Sequence, residues 1–238
     1  MKKVILLSLG LVSFLFATTI NIPADYTTIQ EGINASVDGD TVLVAQGTYS
    51  ENLILANEIV LASHAIYDDL DSQWLDNDNI NNTIISGAHS GSCLIVRDGN
   101  IQPTVIGLTF QDGVGTSMIE VDCGAFPIRS GGAILLYKAY PTIMYNRFIN
   151  NGFTPGLAGG GTSVTNGGAI SHFADDDVEF DEDRDQASQN NHSSRDIPEE
   201  LNIQNNYFEG NSSGNGENVY SHGYEGDIDV SGSVFEDI

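Results

Sequence analysis

An eight-residue repeat constrains the fold of this chain more than any other feature of its sequence. The segments 103–110, 141–148, 201–208 and 228–235 align without gaps. Their shared columns hold Val105, Ile143, Ile203 and Val230, then Phe110, Phe148, Phe208 and Phe235, then Asn146 and Asn206, with Asn151 and Asn211 at matching offsets beyond the Phe. Adjacent strands lie about 4.8 Å apart, so stacked turns of chain place each side chain on its counterpart. The columns therefore predict an all-β chain folded as a parallel β-helix, a solenoid with Val, Ile and Phe pointing inward.

Turn residues favour this fold over other β architectures. Gly131-Gly-Ala-Ile134 is echoed by Gly167-Gly-Ala-Ile170 and more loosely by Gly216-Glu-Asn-Val219, and the glycines permit tight bends before each strand. Asn in the turns is expected to adopt the left-handed conformation and to hydrogen-bond its counterparts in the stack. A β-sandwich would show regular hairpin turns instead of columns, and these turns are too short for the crossover helices of an α/β sheet.

A short helix is predicted near the start, over about 28–36. Thr28 followed by Glu31 matches a capping box, and Ile29, Ile33 and Val37 recur at helical spacing. We expect this helix to cap the open N-terminal end of the stack.

The first 17 residues have the features of a secretory signal. Lys2 and Lys3 precede an apolar stretch over 4–16, and Ala17 suits the position before cleavage. The alternative is a membrane anchor, but the stretch is shorter than the roughly 20 residues that span a bilayer. The sequence predicts a signal peptide over 1–17, a mature domain over 18–238, and a secreted protein that is extracellular or on the outer cell surface.

Net charge limits the partners of the chain. The formal charge is −25, and loss of Lys2 and Lys3 with the signal makes it more negative. Such a surface repels nucleic acid and anionic lipid, and attracts cations. We therefore expect no nucleic-acid partner. After cleavage of the signal we also expect no transmembrane segment, because no later segment is long enough to cross a membrane.

Two stretches interrupt the repeat, a polar loop over 67–82 and an acidic insertion over 174–200. The composition of the insertion predicts a mobile loop without a core of its own. Its carboxylates are candidate ligands for weak calcium binding: Asp175, Asp176, Asp177, Glu179, Asp181 and Asp183. The alternative is a solvated acidic loop without defined coordination, since no EF-hand spacing is present. No other cofactor is predicted.

The two cysteines, Cys93 and Cys123, leave two alternatives open. After export they can oxidise to a disulfide, or both can pack as buried thiols.

Several segments resemble those of the pectin-lyase-like superfamily of right-handed parallel β-helices, chiefly its secreted bacterial repeat proteins. The similarity covers nearly all of the mature chain and is most specific in 26–35, 39–44 and 47–53. The Gly-Gly-Ala-Ile elements and the Phe-x-x-Asn elements (148–151 and 208–211) also resemble repeats of polymorphic outer-membrane adhesins, although β-helix geometry alone explains both elements. The resemblance implies a right-handed parallel β-helix, and the adhesin repeats imply binding at a cell surface.

An enzyme is the rival function that the resemblance implies. The Gln-Asp-Thr and Asp-Phe-Ile-Phe-Gly motifs of pectin methylesterases are missing from the sequence, and pectate lyases need an Arg base beside calcium-binding Asp residues. Arg147 occupies a column whose other members are Thr109, Tyr207 and Val234, as expected for an ordinary outward position. No catalytic residue is assigned.

We therefore predict a binding or adhesion module for carbohydrate or another surface, with no chemical step. Tyr137, Tyr140 and Tyr145 are candidates for a sugar-stacking platform, with ordinary surface positions as the alternative. The other function that stays open is a polysaccharide lyase or glycoside hydrolase.

The sequence stops three residues after the fourth Phe of the repeat. We expect the natural protein to continue with further turns, or the open edge to pair end to end with a second molecule.

Overall fold

The computed structural model describes residues 17–120, 126–152, 166–175, 178–180 and 196–236. Within them the protein is mostly β, with three parallel sheets and one small antiparallel sheet. The signal segment over 1–16 lies outside the described residues, so its cleavage stays a prediction.

The parallel sheets, here called A, B and C, contain most of the strands. In spatial order, sheet A contains β1 (Thr19–Ile22), β2 (Thr41–Val44), β5 (Val60–Ser63), β8 (Thr104–Ile106), β13 (Thr142–Met144), β17 (Glu200–Gln204) and β20 (Asp227–Asp229). Sheet B contains β3 (Gly47–Ser50), β6 (Thr83–Ser86), β9 (Thr109–Gln111), β14 (Arg147–Ile149), β18 (Tyr207–Glu209) and β21 (Val234–Glu236). Sheet C contains β4 (Leu53–Leu55), β7 (Leu94–Ile101), β12 (Ile134–Ala139), β15 (Ile170–Phe173) and β19 (Val219–His222).

The chain visits the sheets in the constant order A, B, C, and we call one such passage a circuit. From β2 onward each circuit adds one strand to each sheet beside the strand of the circuit before it. A side chain within a sheet therefore generally has a counterpart at the same position of the next circuit.

The predicted columns are confirmed. Val105 pairs with Ile143, and Ile143 pairs with Ile203, while the three phenylalanines of β9, β14 and β18 pair in the same way. All six side chains are fully buried. The ring of Phe148 stacks between Phe110 at 5.5 Å and Phe208 at 4.9 Å between centroids. Phe235 continues the stack at 4.9 Å from Phe208 but is 47% exposed.

The left-handed residues of these turns lie one position before the column asparagines, although one of them, Asn205, is itself an asparagine. Asn146 and Asn206 themselves have ordinary backbone conformations, and the residue before each has positive φ: 56° at Tyr145 and 53° at Asn205. The equivalent position is Gly107 in the preceding circuit, with φ of 73°. The sharp bend uses one residue, which leaves the next Asn free to turn its side chain into the stack.

The predicted N-terminal helix is confirmed as α1 (Ile29–Ala35). Thr28 Oγ1 accepts from the Glu31 N–H at 3.2 Å, and Glu31 Oε2 accepts from the Thr28 N–H at 3.1 Å. Ile29 and Ile33 are buried in the main core, so the helix packs against the first circuit.

The polar stretch 67–82 is more ordered than a loop. It contains α2 (Leu70–Gln73), a 3₁₀ turn (Trp74–Asp76) and α3 (Asp78–Asn81), after a 3₁₀ turn at His64–Tyr67. Ile80 is fully buried, and its carbonyl accepts from Thr109 Oγ1 at 2.8 Å, which fastens the segment to sheet B. Local capping by Asn77, whose Oδ1 accepts from the Asn79 and Ile80 N–H groups, makes these short helices possible.

The antiparallel sheet forms a second layer that the sequence did not predict. It contains β10 (Thr116–Glu120) between β11 (Phe126–Ser130) and β16 (Val178–Phe180), and β16 comes from the acidic insertion. Phe180 lies against Tyr137 at 5.2 Å, and the Arg97 guanidinium lies 5.1 Å from its centroid. This described part of the insertion is therefore paired and packed, contrary to the expectation of a mobile loop throughout.

Candidate functional site

A change of chemistry in one inward column of sheet C marks the candidate site. The column runs Leu55, Val96, Leu136, His172 and Ser221. The first three belong to the main core, and His172 is fully buried at the equivalent position. This column is thus aliphatic in the early circuits and polar in the last two.

His172 is surrounded by aromatic rings and one hydroxyl. The rings of Tyr140 and Tyr224 lie 5.1 Å and 5.2 Å from the imidazole, both edge to face. His172 Nδ1 is 3.0 Å from Ser221 Oγ. Burial lowers the pKa of His172 to about 4, so the imidazole is neutral at pH 7.

Two buried polar atoms in this cluster have no hydrogen-bond partner among the residues that the structure describes. They are the Tyr140 hydroxyl, on a side chain only 3% exposed, and His172 Nε2. Buried polar groups in folded proteins nearly always have partners, so orphaned ones require an explanation. Burial raises the pKa of Tyr140, with neighbouring Tyr224 and Asp175 adding to the shift, so the phenol stays protonated.

A cleft of about 550 Å³ opens beside Tyr140 and Tyr224, and we call it the tyrosine cleft. Its lining residues are Tyr140, Ala174, Ile197, Pro198, Glu199, Gly223, Tyr224, Glu225, Gly226 and Asp227. Three of these are carboxylates, which lie at the cleft with exposed side chains.

Backbone contacts hold the walls of the tyrosine cleft together. The Asp227 N–H donates to the Glu199 carbonyl at 3.0 Å, and the Tyr224 hydroxyl donates to the Pro198 carbonyl at 2.8 Å. A Cβ on Gly226 would overlap the Tyr224 hydroxyl and the Glu199 carbonyl oxygen, so only glycine fits there. The cleft is therefore defined by the fold and not by loosely placed side chains.

The chemistry of the cluster is better suited to binding than to proton transfer. A general base works best with a pKa near the working pH, and that of His172 is well below 7. The residues that converge are hydrogen-bonding groups, aromatic rings and carboxylates.

The three tyrosines proposed as a platform do not lie together on one surface. Tyr140 is buried at the tyrosine cleft, and Tyr137 packs under Phe180. Tyr145 follows β13, where its hydroxyl donates to Asp71 Oδ1 at 3.2 Å and its ring lies 6.0 Å from Trp74. The platform prediction is wrong because Tyr137 lies within β12, Tyr140 is buried just beyond the end of β12, and Tyr145 contacts the 67–82 segment.

The calcium candidates are described only in part. Asp175 lies beside the last circuit, with Oδ2 3.6 Å from His222 Nε2. Asp176, Asp177, Asp181 and Asp183 lie outside the described residues, as does the side chain of Glu179. Among the described residues, no group of three or more His, Cys, Asp or Glu side chains is placed to hold a metal ion. Calcium binding by the insertion stays a prediction.

Cys93 is fully buried and has no disulfide partner among the described residues, and its Sγ–H donates to the Gln111 carbonyl at 3.3 Å. Burial raises its pKa to about 12. Cys123 lies outside the described residues, so the question of a disulfide stays open.

Sequence reasoning missed most of this site, but one signal was present. His172 follows the second Gly-Gly-Ala-Ile by two residues, where the first copy has Leu136. A polar residue in an otherwise apolar column is visible in the alignment of the repeats. The carboxylates Glu199, Glu225 and Asp227 gave no comparable signal, because they lie outside the columns.

No helix among the described residues is long and apolar enough to cross a membrane. Comparison of the chain with protein-family models, with curated proteins and with solved structures gave no match.

Proposed function

We propose that the chain is an exported right-handed parallel β-helix that binds carbohydrate in the tyrosine cleft, with no chemical step. The observation that carries this proposal is the cleft itself, which is lined by two tyrosines and three acidic residues and includes Tyr140, whose hydroxyl has no partner among the described residues. Sugars offer apolar C–H faces to aromatic rings and hydroxyl donors to carboxylates.

The constant A, B, C order of the circuits supports the β-helix. Parallel strands joined by crossovers are right-handed in about 98% of cases, which favours a right-handed coil. The segment over 26–53, which resembles the opening of pectin-lyase-like proteins, forms α1, β2, β3 and β4 at the start of the stack. Membership of that superfamily belongs to the same proposal.

The signal-like start supports export. The intact mass of the protein recovered from outside producing cells tests this part of the proposal, and removal of 1–17 is the expected result. A secreted species that begins at Met1 would contradict it.

Carbohydrate binding is tested with a panel of purified polysaccharides and oligosaccharides in calorimetric titrations. We expect Tyr224→Ala to abolish binding, because it removes the ring that forms one wall. Tyr224→Phe should retain most of the affinity, since the ring remains and only the bond to the Pro198 carbonyl is lost. Tyr26→Ala is the control, because Tyr26 is 40% exposed and lies in the N-terminal region before α1. Failure of every glycan to bind, or an equal effect of Tyr26→Ala, would refute the proposal.

A hydrolase is the second candidate, supported by the presence of Glu199, Glu225 and Asp227 in the lining of one cleft. Glycoside hydrolysis uses a pair of carboxyl groups that flank the scissile bond. A lyase has less support, because none of the described residues that line the cleft is an arginine. New reducing ends released by the wild type, and lost in both Glu225→Gln and Asp227→Asn, would favour the hydrolase over the binding module.

A further inference from the structure

We infer that the tyrosine cleft selects a cationic sugar, one that carries a protonated amine in place of a hydroxyl or an acetamide. This rests on the proposed carbohydrate binding and names the ligand class. The inference is carried by three features of the cleft: its charge, its aromatic wall and the orphaned hydroxyl at its base.

The charged residues among the described lining of the cleft are all acidic. Glu199, Glu225 and Asp227 are exposed at its rim, and no described lining residue is basic. Asp227 and Glu199 are held near each other by the bond between the Asp227 N–H and the Glu199 carbonyl. Such a rim repels a uronic acid and attracts an ammonium group more strongly than a neutral hydroxyl.

The aromatic wall also suits a cation. A cation within about 6 Å of a tyrosine ring is attracted by the negative face of the ring. Tyr224 is held by its bond to the Pro198 carbonyl and lies 5.5 Å from Tyr140 between ring centroids. Tyr224 and the acidic residues of the rim line the same cleft, where one amine could meet both.

The Tyr140 hydroxyl distinguishes this cleft from an ordinary acidic patch. It is buried, it belongs to a lining residue, and no described residue forms a hydrogen bond with it. A sugar hydroxyl in the cleft would supply that partner. The acidic segment around Asp68 provides the contrast, because Asp68 Oδ2 already accepts from the Asn77 and Asn79 amides.

Two oligosaccharides that differ only in the amine form the test. The probes are the β-1,4-linked glucosamine tetramer and its fully N-acetylated form, titrated into the mature protein in a calorimeter. We expect the free-amine tetramer to bind at least tenfold more tightly, with an affinity that falls as salt is added. Equal affinities for the two tetramers would overturn the inference and leave carbohydrate binding intact.

Matched charge variants separate the cleft from general attraction to an acidic protein. Glu199→Gln, Glu225→Gln and Asp227→Asn together should weaken binding of the free-amine tetramer at least tenfold. A second acidic cleft lies in the segment around Asp68 and is lined by Asp69, Asp76 and Asp78. The control triple, Asp69→Asn, Asp76→Asn and Asp78→Asn, removes the same charge there and should stay within twofold of wild type. Equal losses in the two triples would overturn the inference, because binding would then follow net charge.

Tyr140→Phe tests the hydroxyl without removing the ring. We expect at least a threefold loss of affinity with unchanged salt dependence, and an unchanged affinity would remove Tyr140 from the site. If neither tetramer binds but another glycan of the panel does, the amine selectivity is wrong and the binding module stands. If no glycan binds, both proposals fail.

Discussion

Asn146 and Asn206, on adjacent circuits, are joined by a side-chain ladder. Asn206 Oδ1 accepts from the Asn146 backbone N–H at 2.9 Å and from Asn146 Nδ2 at 3.2 Å. Asn146 Oδ1 in turn accepts from the Leu108 N–H at 3.0 Å, and Asn146 Nδ2 donates to the Val105 carbonyl at 2.9 Å. Both side chains are fully buried, so the ladder satisfies backbone groups at a corner where no strand can.

The ladder predicts a large cost for Asn146→Ala. The substitution leaves buried donors and acceptors without partners, each worth roughly 1–3 kcal/mol, and we expect a total loss of about 3 kcal/mol. Urea denaturation gives the loss, and hydrogen exchange should show faster exchange at the Leu108 amide. Asn34→Ala, on the exposed face of α1, is the control and should change stability by less than about 0.5 kcal/mol. An unchanged Leu108 exchange rate would contradict the ladder.

The phenylalanine column predicts a second stability difference. Phe148 is fully buried between two stacked rings, so Phe148→Ala should cost about 3–5 kcal/mol. Phe235 is half-exposed at the end of the same stack, and Phe235→Ala should cost less than about 1.5 kcal/mol, because little area is uncovered. Guanidinium titrations of the two variants and the wild type would measure both losses. A loss below about 1 kcal/mol for Phe148→Ala would mean that the column assignment is wrong.

His172 predicts a pH dependence of stability. Its folded pKa of about 4 lies below the ordinary value of 6.5, so the unfolded chain takes up a proton first as the pH falls. Stability should therefore decrease between about pH 6.5 and pH 4, by about 3 kcal/mol from this residue.

The matching variant is His172→Leu, since Leu136 fills the same column one circuit earlier. We expect a flatter pH profile for this variant over that range in chemical denaturation at several pH values. His89→Asn, at an exposed position, is the control and should keep the wild-type slope. A slope that His172→Leu leaves intact would show that another group titrates.

Calcium binding by the acidic insertion is tested by substitution and not by deletion. Deleting 174–200 would also remove β16, which pairs with β10, and would disturb the second layer. Asp177→Asn, Asp181→Asn and Asp183→Asn together leave β16 in place and should abolish the weak calorimetric heat expected of the wild type. Equal heats from the two proteins would favour a solvated loop without coordination.

The columns were predictable because stacking is a one-dimensional property of the sequence. Each circuit repeats the one before it, so Phe110, Phe148 and Phe208 meet wherever the eight-residue alignment places them. The capping box at Thr28 was predictable for the same reason, since both partners lie within one helical turn.

The antiparallel layer was not predictable, because its partners are remote in sequence and follow no repeat. Val178–Phe180 becomes a strand only because β10 offers an edge and because Arg97 and Tyr137 offer a surface for Phe180. Its local sequence is dominated by carboxylates, whose composition indicates a solvated loop.

By itself the sequence determined the stacking register, the inward Phe and Asn columns and the capped start, because those depend on residues at fixed repeat spacing. Only the tertiary structure decided the site, since Tyr140, Glu199 and Tyr224 come from three separate connections between sheets C and A. The packing of those connections against one another determines which hydroxyl is buried and which acidic residues line the same cleft. No spacing in the sequence encodes that meeting, and it follows from packing in three dimensions.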